Sequence, residues 1–211
     1  MDDLPDALLC HILSFLLTKK AVATSVLSKR WIHSWRSLTI LYFDDQDYFI
    51  LRGGEDKGHA HFAQSVNAVI LSRDDHQPIH KFRLNCFNAS SKYLDILNVN
   101  AWLNAAVDRH VQTLDISLCC ERRTPLISYV IFNSTTLVVL KLQLLNLEPP
   151  VSSLDVDLPL LKVLHLQNVV FSKHDCLAML LSGCPILEDF KARDLCFGTH
   201  VTDKEFKTSP K

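Results

Sequence analysis

Apolar and polar positions fall into two regimes along the 211 residues, helical at the start and strand-like further on. After Leu4-Pro5-Asp6, apolar residues at 8, 9, 12, 13, 15 and 16 predict a short helix. Pro5 suits the first turn, where its missing N–H costs nothing, and Asp6 suits the positive end of the helix dipole. Those six positions cover well over half of the helix circumference, too much for a helix with one buried face. A second apolar block follows, with Val26-Leu27 and then Trp31 and Trp35, which four residues apart share a helical face. About forty residues cannot enclose so much apolar surface alone. The surplus must meet another protein or the rest of this chain.

From residue 82 the pattern changes to short alternating strands separated by helical spacing. The strand phrases are Phe82-Arg83-Leu84-Asn85-Cys86, Leu114-Asp115-Ile116-Ser117-Leu118, Leu140-Lys141-Leu142-Gln143-Leu144 and Leu164-His165-Leu166-Gln167-Asn168, with a degenerate fifth over 190–196. Their first residues step by 32, 26, 24 and 26, and the later steps match the period of leucine-rich repeats, roughly 20–29 residues. Between strands, Trp102, Leu103, Ala106 and Val107 form one face of a helix ending near His110. Residues 175–181 form another, closed by Gly183 as a C-cap with Pro185 beyond. Such units bury their apolar faces only by stacking, which predicts a curved solenoid with a strand-lined concave side. Residues 44–81 read as a linker: a polar loop at 53–58, then an amphipathic helix carrying Phe62, Val66, Val69 and Ile70 that caps the first repeat.

Composition narrows the class. With 48% apolar and 21% charged residues the chain is globular. Lys plus Arg number 22 against 23 Asp plus Glu, so no charge excess advertises nucleic acid or an anionic membrane. Seven cysteines, an acidic N-terminus and an apolar run broken by His11 predict free, buried thiols in a reducing interior, in the cytoplasm, the nucleus or both. Neither phosphate-binding glycine motif is present. His174-Asp175-Cys176 suggests a thiol enzyme only superficially, since neighbours at a helix start point apart; Asp175 reads as a first-turn acid and Cys176 as core. His59-Ala60-His61 lacks the Cys or carboxylate companions of a metal site and reads as a solvated helix start. Cys119-Cys120, like Cys86 and Cys196, sits just after a strand where small buried side chains fit. No catalytic, metal or cofactor residues are expected.

Leu4-Pro5-Asp6, Ile12-Leu13-Ser14-Phe15-Leu16 and Val26-Leu27-Ser28-Lys29-Arg30-Trp31 resemble the F-box of plant F-box/leucine-rich-repeat proteins. The phrases around Leu158–Leu166 and Ser182–Glu188 resemble that family's repeats. Two departures stand out: only three residues precede Leu4, and Leu17 replaces the usual proline, leaving Thr18 to cap the next turn.

The resemblance implies an α+β chain: an all-α F-box (1–43), the linker (44–81) and a short α/β, RNI-like leucine-rich-repeat solenoid (82–211), read as truncated at its C-terminus for want of a polar cap. It implies a non-catalytic substrate receptor of an SCF-type ubiquitin ligase. Leu4, Pro5, Leu8, Leu9, Ile12, Leu13, Leu27, Ser28 and Trp31 would bind the Skp-type adaptor and through it the cullin. Arg83, Asn85, Asp115, Ser117, Lys141, Gln143, His165 and Gln167 alternate with the buried strand positions and would face a protein substrate. Two alternatives stay open: an interaction module outside any ligase, or a truncated product that occupies the adaptor without recruiting substrate.

Overall fold

The computed structural model describes residues 4–49, 55–73, 77–86, 96–119, 126–127, 129–147 and 156–198. The first two residues of the loop expected at 53–58, Cys120 and the last residues fall outside that set, while 55–58 open a helix instead of the expected loop. The N-terminal head holds α1 (Asp6–Ser14), α2 (Thr18–Ala23), a 3-10 turn (Thr24–Val26) and α3 (Lys29–Arg36). Pro5 is the N-cap of α1 rather than its first turn, and its carbonyl accepts the Leu8 and Leu9 N–H groups at 3.0 and 3.1 Å. Leu9, Leu13 and Ala21 are fully buried, with Trp31 and Trp35 packed among them. Thr18 is not a cap. The N-cap of α2 is Leu17, and the buried Thr18 Oγ1 instead accepts the Tyr42 backbone N–H at 2.7 Å.

That hydrogen bond reaches into the sheet. β1 (Ile40–Asp44) pairs in parallel with β2 (Lys81–Cys86), so the sheet begins at Ile40, well before the first predicted phrase at Phe82, and the boundary drawn at 43 falls inside a strand. Next come β3 (Thr113–Leu118), β5 (Val139–Leu147), β6 (Val163–Phe171) and β7 (Asp189–Arg193), all parallel and in chain order. Short β4 (Leu126–Ile127) and β8 (Cys196–Phe197) pair with the far ends of β5 and β6. Parallel neighbours need crossovers. These are α4 (Gln46–Phe49) with α5 (Glu55–Leu71), α6 (Ile96–Asp108), a second 3-10 turn (Tyr129–Asn133) and α7 (Cys176–Ser182).

Helix α5 therefore serves as the crossover of the first unit. Phe62, Val66, Val69 and Ile70 are buried as the pattern predicts, with Phe62 edge-on to Trp102 of α6 and the Trp102 indole N–H donating to Asn67 at 2.6 Å. Because α5 starts at Glu55, His59 lies a full turn inside it and is buried, not solvated. Helix α6 ends in a Schellman motif: His110 sits at φ 60°, its N–H on the Val107 carbonyl and the Val111 N–H on the Ala106 carbonyl.

Beyond β3 the strands are longer than the sequence suggested, because they turn a corner. Leu144, Asn168 and Asp194 adopt φ of 59°, 50° and 53° at the same place in three successive units. Pairing passes directly from Gln143–Gln167 to Leu145–Val169, so the alternation slips by one and Leu145, Leu147, Val169 and Phe171 return to the core. A side chain in the left-handed region costs about 1–2 kcal/mol. That second buried stretch per strand offsets the cost.

Gly183 sits at the C-cap of α7 but at φ −83°, so helix geometry does not require glycine there. Space does. An added Cβ would lie 2.4 Å from Val156 Cγ1 and 2.6 Å from the Val156 carbonyl oxygen, while the Gly183 carbonyl accepts the Leu158 N–H at 2.9 Å. Gly183→Ala is expected to destabilise the chain by about 1–3 kcal/mol, read as a lower urea midpoint.

Candidate functional site

Two surfaces carry candidate residues. On the head, Leu8, Ile12, Phe15 and Leu16 lie at i, i+4, i+7 and i+8 along and just past α1, one exposed stripe. Phe15 is 77% exposed, and His11 packs edge-on against its ring. Val26 and Leu27, 88% and 62% exposed, precede α3, the helix against which α1 packs. Arg30 fixes the start of α1, donating to Asp6 Oδ1 at 2.7 Å and to the Leu4 carbonyl. Isolated exposed apolar residues are ordinary, but a group of six on so small a head marks an interaction surface.

The residues expected to touch an adaptor divide. Pro5, Leu8, Ile12 and Leu27 are exposed, and Leu4 and Ser28 partly so. Leu9, Leu13 and Trp31 are buried in the core that runs on into the sheet, where they hold α1 against α3 and present almost no surface. Phe15, Leu16 and Val26 were passed over. Their signal was present, since Phe15 and Leu16 belong to the apolar surplus of α1 and Val26 opens the second block.

The second surface is the sheet face opposite the crossovers. Register lines up Tyr42, Arg83, Asp115, Lys141, His165 and Lys191 in one row, with Asp44, Asn85, Ser117, Gln143, Gln167 and Arg193 in the next. All eight expected substrate-facing residues thus share two adjacent rows. Asn85 and Ser117 are nevertheless buried, Asn85 within a polar cluster that occupies the N-terminal end of the face. There Asn85 Nδ2 donates to the Tyr42 hydroxyl and Asp44, Tyr42 donates to Asp44, and Arg83 lies over the Tyr42 ring while pairing with Asp115 at 3.4 Å. Burial and the bond to Asp44 push the Tyr42 phenol up. At the other end His165 Nε2 and Lys191 Nζ lie 2.8 and 3.1 Å from Asp189 Oδ2, and these hydrogen bonds hold its carboxyl below the usual range.

Catalytic geometry does not assemble from the earlier candidates. Cys176 is buried, while His174 turns to the Phe197 ring. Burial pushes the Cys184 thiol up to about 11, and burial with Asp6 raises Cys10, both away from nucleophilic thiolate. Cys10, Cys176, Cys184 and Cys196 are free thiols; Cys196 is exposed rather than buried. Among the described residues no group of three His, Cys, Asp or Glu could hold a metal, and no helix is long and apolar enough to cross a membrane.

An apolar docking stripe on a small helical head, joined to stacked strand-crossover units, defines a two-part interaction protein of the F-box and leucine-rich-repeat class. Comparison with known families agrees. The F-box domain model matches residues 1–43, and the leucine-rich-repeat model described as FBD-associated F-box protein At5g56370, LRR repeats, matches 99–202. F-box/LRR-repeat protein At4g14103 of Arabidopsis thaliana is 37% identical over 196 residues, covering 92% of this chain and 49% of that protein. F-box/LRR-repeat protein At3g59200 of the same plant is 38% identical over 194 residues, 90% of this chain and 35% of the other. The chain belongs to the F-box/LRR-repeat family. It spans less than half the length of these relatives. No solved structure matches it.

The division between core and stripe is measurable. Ile12→Asp is expected to change stability by no more than about 0.5 kcal/mol, as surface substitutions do. Leu13→Asp buries an unpaired charge and should unfold the head. Circular dichroism melts of the two variants test this, and equal effects would contradict it.

Proposed function

We propose that this chain is a non-catalytic receptor subunit of an SCF-type ubiquitin ligase, working in the cytoplasm or nucleus. The stripe of Leu8, Ile12, Phe15, Leu16, Val26 and Leu27 docks a Skp-type adaptor, and through it the cullin. The single observation behind this reading is that six large apolar side chains stand exposed on one small helical head, while its other large apolar residues are buried or partly buried. Membership of the F-box/LRR-repeat family supports it.

The repeat units extend as a solenoid, and the two polar rows on its concave face hold the target protein. Its open half, around Lys141, Gln143, His165 and Gln167, offers long side chains of mixed donor and acceptor character. Such a receptor breaks no bond itself. It raises the local concentration of target lysines near the ubiquitin-conjugating enzyme, turning a bimolecular encounter into a near-intramolecular one.

Co-purification tests the adaptor half. The wild-type chain is expected to elute one-to-one with a Skp-type adaptor. Phe15→Asp with Val26→Asp should leave the melting curve unchanged and weaken binding by roughly a hundredfold, the scale on which apolar anchors act. Undiminished capture of the adaptor by that double variant would overturn the assignment of the stripe.

A further inference from the structure

On the sheet face opposite the crossovers, charged side chains are tied together across the strands, except at the centre. Among the described residues of these strands the face carries the carboxylates of Asp44, Asp115 and Asp189, and each has a partner. Asp44 accepts from Tyr42, Asn85 and the Gln46 N–H, Asp115 pairs with Arg83, and Asp189 holds His165 and Lys191. Lys141 stands between two of these groups. Register puts Asp115 beside it on β3 and His165 beside it on β6. Asp115 is engaged on its β2 side and His165 on its β7 side. The lysine between them is partly buried, and its charge is left unmatched.

The next positions along the same two strands are unengaged as well. Gln143 and Gln167 face one another in the register and are partly buried. Among the described residues no hydrogen bond or ion pair engages the side chains of Lys141, Gln143 or Gln167. An ammonium and two amides supply N–H donors, and one carboxylate accepts several such bonds. Hydrogen bonds to an ionised group belong to the stronger class. On the other side of Lys141 and His165 lie Val139 and Val163, also register partners and partly exposed.

Spacing extends this from a charge to a motif. Side chains on one face of an extended chain recur every second residue, about 6.6 Å apart. Val139 and Lys141 are separated by that same step along β5. A guest lying along β5 and β6 thus places one side chain at Lys141 and the next on its face over the two valines.

We infer that the target segment is extended and acidic: an Asp or Glu side chain docks on Lys141 and the Gln143 and Gln167 amides, and a large apolar residue two positions away covers Val139 and Val163. This rests on the reading that the face holds the target, and it names the target's chemistry. A basic segment is disfavoured, because every carboxylate of the face that could receive it is already bound.

The test is selection of a phage-displayed library of random linear peptides on the full chain. The wild type is expected to enrich Asp or Glu two positions from a large apolar residue. For a selected peptide, Lys141→Ala should raise the Kd by about tenfold, the scale of a charged hydrogen bond, and rising salt should weaken binding. Lys141→Glu should turn the selection toward Lys and Arg. These substitutions are at a partly exposed position, and circular dichroism confirms that the variants remain folded. Selected peptides that lack an acidic residue, yet lose affinity with Val163→Ser, would overturn the acidic motif and keep the face as the target site. Peptides indifferent to both Lys141→Glu and Val163→Ser bind elsewhere and would overturn motif and face together. A library that enriches no sequence would do the same.

Discussion

The ladder between β1 and β2 is the constraint on which the rest of the molecule depends. It pairs Ile40–Asp44, the continuation of the head, with Lys81–Asn85, the first strand the repeat pattern announces. Thr18 anchors β1 to α2 through the Tyr42 N–H, and Leu41 and Phe43 enter the same core as Phe82 and Leu84. The head is therefore an N-terminal extension of the sheet's core. A stripe of apolar residues can stay in solvent on it because Leu9, Leu13, Trp31 and Trp35 already tie it to that core.

Stability in such a stack is close to a sum of unit and neighbour terms. Every inner strand is flanked on both sides, and its core-facing leucines lose essentially all their exposure. At the N-terminal end the helical head covers β1, and Tyr42, Asp44, Arg83 and Asn85 form a closed polar cluster on the open face. The same stacking rule thus accounts for the near-complete burial of the core-facing row in the inner strands.

Much of this was legible in the sequence. The strand phrases at 82, 114, 140 and 164 predict β2, β3, β5 and β6 because alternation over five residues is a strong local signal. The face shared by Trp102, Leu103 and Ala106, and that of Phe62, Val66, Val69 and Ile70, became α6 and α5 for the same reason. β1 was hidden: Ile40-Leu41-Tyr42-Phe43 is continuously apolar or aromatic, and its partner lies forty residues away. The corner at Leu144 was invisible because nothing in a leucine announces a positive φ, whereas Asn168 and Asp194 are residue types that enter that region more readily. Gly183 was noticed for a helix-capping role, whereas its requirement is the closeness of Val156, a tertiary fact.

The head shows the same limit more sharply. Periodicity revealed that α1 carries more apolar surface than one face can bury, but not which residues face inward. Leu9 and Leu13 face the core; Leu8, Ile12, Phe15 and Leu16 face solvent. Only the positions of α3 and β1 decide between them. Hydrogen exchange of the full chain, with and without a Skp-type adaptor, tests the outcome most directly. Adaptor docking through the stripe predicts new protection at residues 8–16 and 24–28 and none across β5 and β6. Protection that appears on the sheet and leaves the head unchanged would contradict it.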